Sequence, residues 1–380
     1  MRLAPNTNGK EQKVMLDLND SGNDIVTLRN ALVVPPLSEA NLREQPSGVL
    51  DADGNFVENS ISWTSSTRPV NSAPVLPADA AIRDLPGHYM FGGIFYGHFG
   101  HFIVESLARS WALDRLKDKL DGIIFTPKVP RVNERAVAVH QQLLTAFGIE
   151  VPVIIAAGIT RVETLSVPRQ GIGMYDLIGG SAAFRDYVNT HVGAKVPAEG
   201  SEKIYISRSK LGPHRGSILG EYKIEQYLEA EGYEIFHPQL ASQNEQIARY
   251  KAARLIVGAD CSPLHLLAYV GDPGQKAAIL TRRSMEIGSY LTEQLRVFKG
   301  MQAVEINALV NDWMPQPGSR PSRSSWGELD FPRVHAELLA AGLISNPTPW
   351  PSLTEAERAA ELDRLSASHK TSFKPFREAA

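Results

Sequence analysis

The chain has 380 residues, with 39 Lys and Arg against 42 Asp and Glu, and a single cysteine. At roughly 150 residues per domain this length suggests two domains or a little more. The net charge of −3 gives no support to a nucleic-acid binder, which normally carries a strong basic excess. One cysteine excludes both an internal disulfide and a Cys-based zinc site.

Residues 1–18 are polar and mixed in charge, without the apolar stretch of a signal peptide. No run approaches the roughly 20 apolar residues of a bilayer span. A cytoplasmic protein is expected, with peripheral association at the inner face of a membrane left open. Residues 24–34 are rich in β-branched side chains and stop at Pro35 and Pro36, the pattern of a strand. Residues 51–56 read as a turn around Gly54, and residues 71–86 as a connector. From His98 to Leu116 apolar residues recur at helical spacing (Phe102, Leu107, Trp111, Leu113), which predicts one helix. Strands at 122–127, 151–155 and 163–167 and helices at 136–147 and 182–191 follow. The polar stretch 192–201 reads as a linker.

The second half alternates more regularly. Strands are predicted at 203–207, 233–236, 254–257 and 276–280, with helices at 221–231, 243–253 and from 264. This is the rhythm of βαβ units and of an α/β fold. Residues 318–325 are rich in Ser, Arg and Pro and read as a mobile segment. Ser352 and Glu355 have capping-box spacing, which predicts a helix to about Leu365.

Three clusters carry candidate chemistry. On a helix His98, His101 and Glu105 would share one face, with Arg109 four residues beyond Glu105. A His beside a carboxylate can be held in one tautomer as a general base. The same spacing also suits a metal, and a structural helix start is the plainer alternative. In the second cluster, Ser207, Arg208, Lys210 and Arg215 gather in a loop at a strand end, placed to hold a diphosphate through charge-assisted hydrogen bonds. A solvated basic loop is the alternative there. In the third, Gly258 through His265 lead from a strand through Asp260, Cys261 and Ser262 into a helix, whose N-terminus suits phosphate. Cys261 reads as a small buried residue. There is no Walker A pattern, Gly171 and Gly173 are too little for a dinucleotide fingerprint, and the calcium-loop start at Asp51 lacks its twelfth-position Glu.

The order of these motifs resembles glycosyltransferase family 61, whose bacterial members are often capsular polysaccharide biosynthesis proteins. The resemblance rests on residues 97–112 (GHFGHFIVESLARSWA), on Tyr205 to Arg208, on residues 238–253, and on the Gly258 to His265 turn. It spans about residues 25–285. Cys261 stands where the family usually has Gly, and Pro263 where it has Ala or Gly. The resemblance implies a GT-B fold, two Rossmann-like domains facing across a cleft, here with an irregular strand-rich N-terminal part and a C-terminal helix.

Residues 1–195 would form the acceptor-side domain, 196–330 the nucleotide-sugar domain, and 331–380 a helical tail packing back on the first. The implied activity is inverting transfer from a nucleotide sugar to a glycan or glycolipid acceptor, with no cofactor and no metal. His101 is then the favoured base, oriented by Glu105, with Glu105 or His98 acting directly as the alternative. Arg208, Lys210, Arg215, Ser207, Ser262 and His265 would bind the donor diphosphate, with Arg109 and Asp260 in support. A metal-dependent hydrolase using His98, His101 and Glu105, and a non-catalytic nucleotide- or sugar-binding protein, are the readings from other classes.

Overall fold

The structure, a computed structural model, describes residues 16–18, 24–37, 44–212 and 215–376. The expectation for the start of the chain falls largely outside the described residues, and His214 of the basic loop lies outside them as well. The protein is mixed α/β with several sheets, and its contacts divide it into two compact units.

The first unit comprises Met1–Gly97, Glu105–Arg135 and Val151–Ala182. Its sheet has six strands: β1 (Ile25–Val34), β2 (Gly48–Leu50), β3 (Arg83–Phe95), β4 (Gly122–Pro127), β5 (Val153–Ile155) and β6 (Thr160–Pro168), in the order β2-β1-β6-β3-β4-β5. β6, β3, β4 and β5 run parallel, β1 lies antiparallel to β6 with Leu28 opposite Leu165, and β2 forms the edge antiparallel to β1. The expected connector is therefore shorter than read, because β3 already begins at Arg83. Ala31, Val33, Phe91, Ile124, Val162 and Leu165 pack one face. The β3–β4 register shifts between Phe91 and Gly93. Gly93 has φ +96°, and a Cβ on Gly92 would meet the Phe125 ring at 2.3 Å, so two glycines are needed where this bulge forms. At the 51–56 turn, Asp51 Oδ1 accepts from the backbone N–H groups of Asp53 and Asn55, and Gly54 takes φ +86°.

The second unit comprises His98–Val104, Ala136–Glu150 and Ala183–Ala380. Its main sheet is built from β7 (Lys203–Ile206), β8 (Glu234–Phe236), β9 (Leu255–Ala259), β10 (Lys276–Leu280) and β11 (Gln302–Ile306), all parallel and ordered β8-β7-β9-β10-β11. Short, wholly apolar strands such as Ile256-Val257 and Ala277 to Leu280 are what a parallel sheet covered on both faces requires. Counted by chain order this is 2-1-3-4-5, and the order reverses between β7 and β9. Around it stand α1 (Glu134–Ala146), α2 (Ala182–His191), α3 (Glu221–Ala230), α4 (Gln243–Ala252), α5 (Pro263–Val270) and α6 (Ile287–Lys299). Gly220 (φ +71°) precedes α3, and a capping box of Ser242 and Glu245 starts α4. Residues 318–325, expected to be mobile, are tied in: the Gly216 N–H donates to the Arg323 carbonyl, and the buried strand Trp326–Leu329 follows.

The C-terminal helix, Glu355–His369, starts two residues later than expected. Thr354, not Ser352, is its cap, and Glu357, not Glu355, completes the box. Two overlapping S/T-x-x-E patterns stand in the sequence. The second is used because Glu357 has another anchor, Lys223 of α3 at 2.6 Å. Leu365 packs into the core around β7, β9 and α3 of the second unit. The bonds from Lys223 first, then from Thr354, hold the Glu357 carboxyl at about 2. A carboxyl lowered by folding contributes stability that is present above its unfolded value of 4.5 and is lost as pH falls toward 2. Glu357→Gln is expected to lower the melting temperature at neutral pH, and its gap from the parent to close as the pH falls below about 4. Thermal melts followed by circular dichroism across that range check this; a gap constant with pH would refute it.

Candidate functional site

The segment from His98 to Leu116 is not the single helix its periodicity suggests. It is a helical turn, Phe99–His101, then a π-helical turn, Phe102–Ser106, a 3-10 turn, Ser110–Ala112, and a last α turn, Leu113–Leu116. A π turn inserts an extra residue and shifts every later side chain around the axis. The shared face proposed for His98, His101, Glu105 and Arg109 is therefore lost. The boundary between the two units falls inside this turn, after Val104.

Within the second unit the turn carries His98 and His101, whose rings lie 5.6 Å apart. Phe102 anchors it by stacking on His140 of α1 at 4.0 Å. Gly100 lets it approach the start of α5, since a Cβ there would stand 2.6 Å from Ser262 Oγ. His98 Nε2 lies 3.3 Å from Arg215 Nη1. A guanidinium only donates, so Nε2 is the acceptor and His98 carries its proton on Nδ1. Surrounding protein strips water from the His98 ring and pushes its pKa down to about 4, helped by the charges of His101, Arg215, Arg323 and His140. His98 is thus neutral at neutral pH.

The loop after β7 is organised by a buried carboxylate. Glu221, at the first position of α3, accepts from Tyr205 Oη (3.0 Å), from the Arg208 N–H (2.8 Å) and from Ser217 Oγ. Burial pushes its pKa up. Arg208 turns back on its own loop, donating from Nε and Nη2 to the Gly216 carbonyl at 3.2 and 2.8 Å. Ser207 is buried, and its hydroxyl donates to Glu225 at 2.5 Å, so it braces the loop from beneath. Lys210 and Arg215 are exposed.

After β9 the chain enters α5 through Asp260, Cys261 and Ser262. Burial pushes the Cys261 thiol up to about 11, as suits a packed residue and not a nucleophile. His265 is buried, and its Nδ1 lies 2.7 Å from Gln294 Oε1 of α6. Nδ1 therefore donates. Burial first, with the charge of His101, holds the ring at about 4. A neutral His265 with its proton on Nδ1 offers a lone pair on Nε2, which suits a hydroxyl better than a phosphate oxygen.

Glu105 and Arg109 belong to the first unit and do not meet. Glu105 is buried and hydrogen-bonded to the Tyr96 phenol, and its charge partly offsets the burial that lowers the pKa of Lys128. Burial, with the Glu105 charge and hydrogen bond, pushes Tyr96 well above its ordinary pKa. Arg109, expected to order Glu105, instead donates to the carbonyls of Pro168, Asn59 and Ile61 and to Ser62 Oγ. Among the described residues no group of three or more His, Cys, Asp or Glu side chains is placed to hold a metal ion.

Sequence reasoning missed Gln294, Glu221, Arg323, Arg282 and Arg283. Gln294 and Glu221 sit inside ordinary amphipathic helices. Arg323 lies in a segment whose composition resembles a linker. Arg282 and Arg283 follow a strand that offered no motif.

The parallel sheet of this α/β protein gathers guanidinium, hydroxyl and imidazole groups at its carboxyl edge, the edge at which open α/β sheets take their ligands. Residues 99–276, a little under half of the chain, match the family model described as Glycosyltransferase 61. Comparison with curated proteins gave no match. The family suggests a glycosyltransferase, with a sugar donor and a glycan acceptor as partners. Among the described residues no helix is long and apolar enough to cross a membrane.

Proposed function

We propose that the protein transfers a sugar, with inversion, from a nucleotide-sugar donor to a glycan or glycolipid acceptor in the synthesis of capsule or another surface polysaccharide. On this reading the fold is GT-B, the reaction needs no metal, and the enzyme works in the cytoplasm, at the inner membrane face when its acceptor is a lipid. The observation that carries the reading is the convergence of the His98–His101 turn, which opens the family-matched residues 99–276, on Arg215 and Ser262 at the carboxyl edge of the parallel sheet, with His98 itself one residue before the match.

Arg208, Lys210 and Arg215 would hold the diphosphate, with Ser262 adding a hydroxyl at the start of α5. His98 positions Arg215 by accepting its hydrogen bond, and His265 accepts from a donor hydroxyl. His101 takes the proton from the acceptor hydroxyl as that oxygen attacks the anomeric carbon. The sugar–phosphate bond breaks on the opposite face, and the departing diphosphate takes up negative charge beside the arginines.

A screen of nucleotide sugars by thermal shift, followed by a transfer assay with and without chelator, tests this. One donor should raise the melting temperature, as any ligand selective for the folded state does. Transfer from that donor should survive chelation. A shift without transfer would point to a non-catalytic binding protein, and activity lost on chelation to metal-dependent chemistry. No shift and no transfer with any donor would end the proposal.

A further inference from the structure

Three neighbouring strands of the second unit end in charge. Arg208 follows β7, Asp260 follows β9, and Arg282 and Arg283 follow β10. Asp260 is fully buried, and its Oδ1 stands 3.0 Å from Arg282 Nε and 3.6 Å from Arg283 Nε. Arg282 Nε also reaches the Asp260 backbone carbonyl at 3.0 Å, and the Arg282 N–H reaches Asp260 Oδ2 at 3.3 Å. One carboxylate therefore faces two guanidiniums, its Oδ1 by charge alone, since neither Oδ1 nor Arg283 Nε makes a hydrogen bond among the described residues. Arg208 lies close enough to Arg282 for their charges to repel.

The arrangement is costly as a purely structural device. Arg282 is only 3% exposed, and among the described residues its Nη1 is buried without a hydrogen-bond partner. A buried ion pair adds little stability over apolar packing, and an unmatched donor subtracts from it. The backbone of Arg282 is itself closely packed. Gly327 of the adjoining strand passes so close to Arg282 that a Cβ on it would stand 2.1 Å from the Arg282 carbonyl oxygen. Arg282 also sits at the strand ends beside the reversal of strand order, where open α/β sheets take their ligands. A buried, under-satisfied guanidinium at that edge is what an anion site presents before its ligand arrives.

We infer that Arg282, held by Asp260, and Arg283 complete the donor's diphosphate site from the β10 side, with Arg282 Nη1 donating to a phosphate oxygen. The inference rests on reading this edge as the nucleotide-sugar site.

Calorimetry on the full chain with UDP, GDP, dTDP and inorganic pyrophosphate tests it. Arg282→Lys keeps a cation beside Asp260 but loses the planar fork. Arg283→Gln leaves the Arg282–Asp260 pair intact and covers the case in which the first variant does not fold. Each variant that folds should bind the diphosphates about tenfold or more weakly, the worth of one hydrogen bond to a charged group. A purely structural role would lower the melting temperature and leave the dissociation constant of the folded protein unchanged, and that result would overturn the inference alone. A parent chain that binds none of the four probes would overturn the donor reading and the inference with it.

Discussion

His101→Ala is expected to slow sugar transfer by about two to four orders of magnitude, the usual contribution of a positioned general base, while a nucleotide donor still raises the melting temperature. The expectation follows from how the turn is built. His101 lies on an exposed turn that Gly100 presses against Ser262 and that Phe102 pins to His140. Its neighbour His98 is spent on Arg215 and, with its pKa near 4, is a poor proton acceptor at neutral pH. The two histidines should therefore separate kinetically. His98→Ala frees Arg215 and should raise KM for the donor with a small change in kcat. His101→Ala should lower kcat with little change in KM. Steady-state kinetics on both variants decides it. Near-normal turnover of His101→Ala would remove His101 as the base and leave Glu105, buried beside Tyr96 and Lys128, as the group to test next.

The parts of the fold readable in advance are those governed by local chemistry. The helix Ala182–His191 and the strand Lys276–Leu280 announce themselves through apolar spacing and flanking breakers. The strand ends around Arg208 and Ser262 were legible for the same reason, since each follows a short apolar run. What could not be read depends on geometry that no local pattern encodes. A 3.6-residue period does not register the extra residue of the Phe102–Ser106 turn, so Glu105 and Arg109 were placed on a face they do not share. Two overlapping capping patterns could be told apart only by Lys223, more than a hundred residues away. Arg282 stands two places from Arg208 along the carboxyl edge only because β9 lies between β7 and β10, and strand order is a tertiary fact.

The family-like sequence around Arg109 invites a catalytic reading, yet the largest stability loss is expected there. Arg109→Met should destabilise the first unit by about 3 kcal/mol or more, at about 1 kcal/mol or more for each of three buried carbonyls left without its donor. The guanidinium is 1% exposed and donates to three separate carbonyls, of Pro168 at 2.9 Å, Asn59 at 3.0 Å and Ile61 at 2.8 Å, and to Ser62 Oγ at 3.3 Å. It also lies 5.5 Å from the centre of the Phe91 ring. Burial pulls its pKa down to about 9, still well above neutrality, so the charge persists. Methionine fills much of the volume but leaves these acceptors without donors in a place water reaches poorly, at about 1–3 kcal/mol for each one stranded. Lysine should recover only part of the loss, because a single ammonium cannot match a planar fork aimed at several carbonyls. Gly93→Ala should act through the same network, since the new Cβ would sit 2.3 Å from Arg109 Nη1 at a backbone angle that disfavours any side chain. Urea unfolding of the parent and the three variants measures this. A loss under about 1 kcal/mol for Arg109→Met would mean that the neighbouring carbonyls find other donors, and that the family-like Arg109 is held for the site and not for the fold.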